Sequence, residues 1–302
     1  VGYRRLSGKL AIDATATGTR GLWWEKRRAF IAALLARQHE VVWLSARMGQ
    51  EQEGYATSAV DLLIVEFGGM NEQWYAKDIA ETKRIVQAHD GLAIYLCDDP
   101  ALSAPTWLLY DARERWHVWN NCTERIGQKH ERDFPFGSLL STLPSAIDYS
   151  GRLVYIGRAQ GRTRALREAF AATDVQVYGR AGEWATWPGV TVLDAPAQPQ
   201  RAAFYNAQLG CLGVADQEHM RRGWRTGRVH HAVAAGAPAA IPRGHKAFAG
   251  WRGLYGDGSE LKQLVEQWRR EPGARLTAVE QQQRAMVIER EQCMEAFASV
   301  GL

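Results

Sequence analysis

The feature that most limits how this chain can fold is the alternation of short, uninterrupted apolar runs with helix-type segments. Leu10-Ala-Ile12, Val41-Val-Trp-Leu44, Asp61-Leu-Leu-Ile-Val65 and Leu92-Ala-Ile-Tyr-Leu96 are each about as long as one strand. None of them alternates polar with apolar residues. A strand that is apolar on both faces must be covered on both faces, which is the condition of a parallel sheet between helix layers. The intervening segments, Leu22 to Gln38 and Glu72 to His89, read as helices; the first places Trp24, Phe30, Ala33, Leu34 and Leu35 near one face. Residues 102–149 are less regular and rich in Trp, Arg and Pro, and they read as completing the first unit.

The rhythm then restarts. Leu153–Ile156, Val175–Tyr178, Val190–Leu193, Cys211–Val214, Ala239–Ile241 and Gly253–Tyr255 read as strands. Arg164–Ala171, Gln200–Gln208, Arg228–Ala235, Glu260–Arg270 and Ala278–Phe297 read as helices. With 302 residues, 46% of them hydrophobic, the chain can fill two α/β units of similar design. The expected division is an N-terminal domain over 1–149, a second domain over 150–277, and a C-terminal helix over 278–302 that packs back on the first. Two such domains place a cleft where their strand ends face each other.

Charge separates the halves. Residues 1–150 hold 17 Lys and Arg against 19 Asp and Glu, whereas residues 151–302 hold 20 against 14. The second half is the better host for a phosphate-bearing ligand. Its first strand runs into Gly157 and a basic turn containing Arg158, Arg162, Arg164 and Arg167, ahead of a helix. Strand, glycine turn and helix start together leave backbone N–H groups where an anion can sit. The spacing is neither a Walker loop nor a full dinucleotide fingerprint. A second basic run, Arg221, Arg222 and Arg225, leads to Arg228-Val-His-His231 at another helix start. In the first half, Asp98-Asp99 and Phe67-Gly68-Gly69 follow strands, where α/β sheets bind ligands and where a carboxylate can serve as a general base. Glu25 sits in the first turns of a helix after a loop with Gly18 and Gly21, a placement the helix dipole favours. Cys97, Cys122, Cys211 and Cys293 are far apart and form no zinc or disulfide pattern. No apolar run of about 18 residues occurs, so no membrane span is expected.

In order and spacing, Phe67-Gly68-Gly69, Tyr95-Leu-Cys-Asp-Asp99, Val154-Tyr-Ile-Gly157 with Arg164, Tyr178-Gly179 and Arg228 resemble the DNA beta-glucosyltransferases of T-even bacteriophages. These are GT-B glycosyltransferases with two Rossmann-like domains whose parallel sheets face across a cleft. The resemblance implies transfer of a sugar from a UDP-sugar, UDP-glucose foremost, to the hydroxyl of a 5-hydroxymethylpyrimidine, hydroxymethylcytosine or hydroxymethyluracil, in double-stranded DNA. Transfer would invert the anomeric centre, and the base would be flipped from the duplex.

By the same resemblance Asp99 is the catalytic base and Glu25 contacts the donor sugar. Gly18, Gly157, Arg158 and Arg164 lie along the donor, Tyr178-Gly179 lines the uracil pocket, and Arg228 binds phosphate. His231 stands where the family has a ribose-binding Glu; a neutral imidazole can accept one hydrogen bond there. Phe67, Gly68 and Gly69, with Trp107, Arg113 and Arg115, would meet the DNA. Trp116, His117, Trp119 and Arg125 continue that aromatic and basic mixture. Relatives often use Mg or Mn near the diphosphate, and Asp216 is the nearest candidate ligand. The implied setting is a monomer in the cytoplasm of an infected bacterial host. Two other classes stay open: a GT-B enzyme acting on a small-molecule, protein or glycan acceptor, and a non-catalytic nucleotide-sugar-binding protein.

Overall fold

The computed structural model describes residues 9–13, 40–44, 61–67, 89, 91–97, 116–125, 130–197 and 200–302. The chain forms two compact units, one of residues 1–134 with 292–302 and one of residues 135–291. The boundary expected from sequence lay at 149/150. The expected helix over 22–38, and all but His89 of that over 72–89, lie outside the described residues.

The described part of the first unit is a six-stranded sheet. Its strands are β1 (Lys9–Asp13), β2 (Glu40–Leu44), β3 (Leu62–Phe67), β4 (Leu92–Cys97), β5 (Trp116–Asn120) and β6 (Glu131–Asp133). They lie in the order β2-β1-β3-β4-β5-β6, with every pair parallel. Leu62, Leu63, Ile64, Ala93, Ile94, Tyr95 and Leu96 are all buried, which is why β3 and β4 read as unbroken apolar runs.

The irregular reading of 102–149 needs correcting, because β5 and β6 extend this sheet. Polar residues masked them. In β5 the inward burial falls on Val118 and Trp119, while Asn120 is buried with its amide satisfied locally. Asn120 Nδ2 donates to Glu124 O at 2.8 Å and Glu131 Oε1 at 2.7 Å, and its Oδ1 accepts from Cys122 N at 2.8 Å. β6 is Glu-Arg-Asp, a short charged edge strand that resists pairing with another chain. Trp119 stacks on Phe134 at 4.6 Å, and Phe297 meets both rings edge-on. It is a core residue and not a DNA-facing aromatic. Arg125 pairs with Asp133 at 3.2 Å.

The second unit holds β7 (Ser150–Ile156), β8 (Val175–Tyr178), β9 (Val192–Leu193), β10 (Gln208–Leu212), β11 (Ala239–Pro242) and β12 (Leu254–Tyr255). Their order is β12-β11-β10-β7-β8-β9, again all parallel. The helices are α1 (Thr163–Ala172), α2 (Arg201–Asn206), α3 (Gln217–Arg222), α4 (Gly227–Ala234), α5 (Gly258–Arg270) and α6 (Pro272–Ala298). From β7 the chain builds outward through β8 and β9, then returns to the other side of β7 with β10. Strand order therefore reverses between β7 and β10, and ligands of open α/β sheets bind outside the carboxyl ends at such a reversal. In the first sheet the reversal falls between β1 and β3.

Helix α6 runs from the second unit into the residues of the first. It carries three buried polar residues at heptad spacing, Arg275, Gln282 and Glu289. Arg275 donates to Leu209 O at 2.9 Å and Gln208 O at 2.8 Å, and lies 3.9 Å over the Tyr149 ring. Gln282 accepts from Ala239 N at 2.9 Å and donates to Ala239 O at 2.8 Å. Glu289 accepts from Arg225 Nε at 3.4 Å and faces His230 Nε2 at 2.8 Å.

His245 is fully buried beside Phe248, and neither ring nitrogen has a hydrogen-bond partner among the described residues. Burial, reinforced by His230, Arg225 and His219, lowers its pKa to about 3. The unfolded chain takes up a proton on this residue near pH 6.5 and the folded chain does not. Stability is therefore expected to fall as pH drops through 6.5 toward 3, by up to about 1.4 kcal/mol per pH unit from this group. His245→Phe should flatten that slope in denaturant titrations at stepped pH; an unchanged slope would refute the assignment.

Candidate functional site

The carboxyl end of β7 is built around Gly157. Its φ is +153°, and a Cβ there would collide with Arg228 Nη2. Gly157 N donates to Tyr178 O at 2.9 Å, and Trp184 Nε1 donates to Gly157 O at 3.0 Å. At the end of β8, Gly179 passes so near that a Cβ would stand 2.8 Å from Gly157 O. Two glycines thus let adjacent strand ends meet. Tyr178 is half-buried, its ring edge-on to Phe204 at 4.8 Å, and burial raises its hydroxyl pKa. Trp184, which the sequence did not single out, underpins the turn from a cluster with Tyr155, Phe170 and Trp187.

Arg228, in the first turn of α4, reaches across the strand-order reversal. Its Nε donates to Ile156 O at 2.6 Å, its Nη1 donates to Val214 O, and the guanidinium lies 4.4 Å over the Tyr155 ring. One side chain ties the end of β7 to the end of β10 and holds a positive charge directly beneath Gly157. With Nε and Nη1 bound to carbonyls, the site offers a phosphate a fixed guanidinium charge with Nη2 beside Gly157, a glycine turn without side-chain obstruction, and nearby helix starts.

The turn itself is held from inside. Tyr155 Oη donates to Arg158 O at 2.9 Å, and Arg162 Nη1 donates to Arg158 O and Gln160 O, each at 3.2 Å. Gly161 has φ +74°, and a Cβ on it would strike the Asp216 carboxylate. Between α1, α3 and the end of β11 lies a pocket of about 410 Å³, lined by Arg162, Thr163, Arg164, Glu168, Met220 and Pro242.

The structure sorts the expected residues. Gly157, Arg228, Tyr178 and Gly179 converge on the reversal. Arg158 is exposed on the turn. Arg164 is an exposed side chain paired with Glu168 at 3.0 Å. His231 is half-buried on α4, one position beyond fully buried His230. Of the second basic run, Arg228 reaches the Gly157 turn, whereas Arg221, Arg222 and Arg225 pair with carboxylates. Arg221 and Arg222 both bind Glu218, at 2.6 and 2.7 Å, and hold its carboxyl down to about 2. Arg225 is buried against Glu289.

Asp216 caps α3, accepting from Glu218 N at 3.0 Å. No group of three His, Cys, Asp or Glu able to hold a metal occurs among the described residues. Of the first-unit candidates, Phe67 closes β3 in register with Cys97 of β4, and Asp98-Asp99 follow directly in sequence. Gly18, Glu25, Gly68, Gly69, Asp99, Trp107, Arg113 and Arg115 lie outside the described residues. No helix among the described residues is long and apolar enough to cross a membrane.

No protein-family model and no curated protein matches the chain. Solved structures do. T4 phage BGT in complex with UDP and Mn2+ superposes with a TM-score of 0.68 at 12% identity, over 97% of this chain and all of that one. The same protein in complex with its UDP-glucose substrate gives 0.69 at 13% over the same spans. An alpha-glucosyltransferase in complex with UDP gives 0.51 at 11%, covering 96% and 95%. A UDP-N-acetylglucosamine 2-epimerase from Listeria monocytogenes gives 0.51 at 9%, covering 96% of each chain. The likeness is one of fold: two parallel, Rossmann-like α/β sheets of GT-B type, as expected from the sequence.

Proposed function

We propose that this chain is a UDP-sugar-dependent glycosyltransferase of bacteriophage type. It would transfer a hexose, glucose foremost, to the hydroxyl of hydroxymethylcytosine or hydroxymethyluracil in double-stranded DNA. The observation that carries the reading is Arg228 bridging β7 and β10 under Gly157, within a chain whose fold matches T4 phage BGT along nearly its whole length. The Arg228 guanidinium and the amides of the Gly157 turn would take the diphosphate and stabilise the charge that grows on it as the sugar leaves. Tyr178 and Gly179 would flank the uracil, and His231 would accept from the ribose. Asp99 would remove the proton from the hydroxymethyl group as it attacks, inverting the anomeric carbon in one displacement, with Glu25 and Gly18 beside the sugar. Phe67, Gly68, Gly69, Trp107, Arg113 and Arg115 would receive a flipped base and its phosphates. The enzyme would act as a monomer in the host cytoplasm.

A divalent ion would sit with the nucleotide's diphosphate. The candidate ligand Asp216 caps α3, and no group of three metal-ligating side chains occurs among the described residues.

The test is incubation with a panel of UDP-sugars and DNAs carrying each modified pyrimidine, followed by digestion and weighing of the nucleosides. One modified nucleoside is expected to gain the mass of a hexose. Asp99→Ala should cut that transfer by at least about 100-fold while UDP binding persists. If no nucleoside gains mass with any donor, the DNA assignment fails. Transfer to free glycans instead would favour the non-DNA reading, which the slightly acidic first half supports.

A further inference from the structure

Strands β7 and β8 run parallel with Ile156 beside Tyr178, and each is followed by the same dipeptide, Gly157-Arg158 and Gly179-Arg180. A Cβ on Gly179 would stand 2.8 Å from Gly157 O, so the main chains of the two arginines emerge next to each other at the strand ends. Both arginines are exposed. Neither side chain makes a hydrogen bond or an ion pair among the described residues. Other exposed arginines of this unit are matched: Arg164 with Glu168, Arg221 with Glu218 and Arg243 with Glu260. Two like charges on neighbouring strands repel, and an approaching polyanion turns that cost into attraction.

The edge beyond Arg180 is open. Ala181, Gly182 and Glu183 are exposed, and a Cβ on Gly182 would meet nothing within 4 Å. A large ligand can therefore come close to Arg180 without a side chain in its way.

The charge of the whole chain points the same way. A protein holds a DNA duplex by neutralising phosphates with Lys and Arg. Residues 1–150 have no positive excess, with 17 Lys and Arg against 19 Asp and Glu, whereas residues 151–302 have 20 against 14. A share of the neutralising charge thus falls to the second unit. At its strand ends, Arg158 and Arg180 are the adjacent pair that no carboxylate has already taken.

We infer that Arg180, with Arg158 beside it, contacts the phosphodiester backbone of the acceptor duplex. This rests on the DNA acceptor proposed above. It makes Arg180 an acceptor-binding residue, distinct from Arg228, which faces the donor from beneath Gly157.

Fluorescence anisotropy with a short labelled duplex carrying hydroxymethylcytosine or hydroxymethyluracil, read between about 50 and 200 mM NaCl, tests this on wild type, Arg180→Ala, Arg180→Lys and Arg252→Ala. Each phosphate contact adds about 0.9 to the slope of log affinity against log salt. Arg180→Ala is expected to lower that slope by about 1, with affinity down about 10-fold at the low-salt end and about 3-fold at the high-salt end. Arg180→Lys keeps the charge and should keep the slope. Arg252 is exposed and precedes β12, at the amino end of the sheet. Its loss removes the same charge far from the strand ends and should leave the slope unchanged. In calorimetry, UDP affinity of Arg180→Ala should stay within about twofold of wild type, because an exposed charge that makes no contact is screened.

An unchanged slope in Arg180→Ala, with wild type holding the duplex, overturns this inference and leaves the DNA reading standing. Equal losses of UDP and duplex would put Arg180 on the donor and overturn it as well. So would an equal fall in slope for Arg252→Ala, the sign of a diffuse charge effect. Wild type that binds UDP but holds no duplex at any salt sinks the DNA reading and this inference with it.

Discussion

Glu289→Ala is expected to destabilise the second unit by about 3–5 kcal/mol, the usual cost of removing one partner from a buried ionic cluster. Glu289 is the one carboxylate joining Arg225 and His230 in the described hydrogen bonds, and all three are at least nine-tenths buried. Its removal takes this carboxylate from the buried Arg225 charge and leaves His230 Nε2 without its Glu289 acceptor. For a unit of this size the loss corresponds to a fall in Tm of roughly 6–20 °C. Glu289→Gln keeps an acceptor but loses the charge, and it should fall between alanine and wild type. Denaturant unfolding followed by a second-unit tryptophan signal checks the order; an alanine effect below about 1 kcal/mol would show that the cluster contributes nothing net.

Arg228→Ala should weaken UDP binding by about 30-fold or more and also lower stability. The binding loss follows from deleting a fixed guanidinium at the phosphate position, for which truncation of a buried charge partner costs about 2–5 kcal/mol. The stability loss, about 1–3 kcal/mol, follows from stranding the carbonyls of Ile156 and Val214 at the reversal. Arg228→Lys separates the two effects: an ammonium keeps the charge but lacks the planar fork that reaches both strands. It should retain more affinity than stability. Calorimetry with UDP beside denaturant curves tests this, and UDP binding unchanged in either variant would remove Arg228 from the site.

How much could be read from sequence depended on whether burial coincided with apolar side chains. β3 and β4 are largely apolar runs, and β7 and β8 carry the apolar stretches Leu153–Ile156 and Val175, Val177 and Tyr178, so all four were legible. β5 and β6 were not, because Asn120 and the Glu-Arg-Asp edge satisfy themselves by hydrogen bonds and charge. α3 was missed because Gln217–Arg222 has no apolar stripe; its cap, Asp216, looked instead like a metal ligand. The glycines at 157 and 179 and Arg228 were visible through the family resemblance and a strand-turn-helix order. The arginine-rich second half was legible as a charge excess but not as a pattern of partners. Arg221 and Arg222 neutralise Glu218 at the surface and Arg225 neutralises Glu289 in the core, so only part of the apparent basic field faces a ligand. That Arg162 is the buried member of its turn, and Arg164 the solvated one, depends on how the turn packs on Asp216 and Tyr155, which no local pattern encodes.

The polar heptad of α6 bears on the timing of folding. Leu209 and Ala239 wait for Arg275 and Gln282, which lie 66 and 43 residues further along the chain. As the polypeptide leaves the ribosome, the central strands of the second sheet therefore emerge with buried backbone groups still unmatched. Closure of that sheet awaits the synthesis of α6, and a nascent chain halted before residue 275 should remain protease-sensitive across β10 and β11.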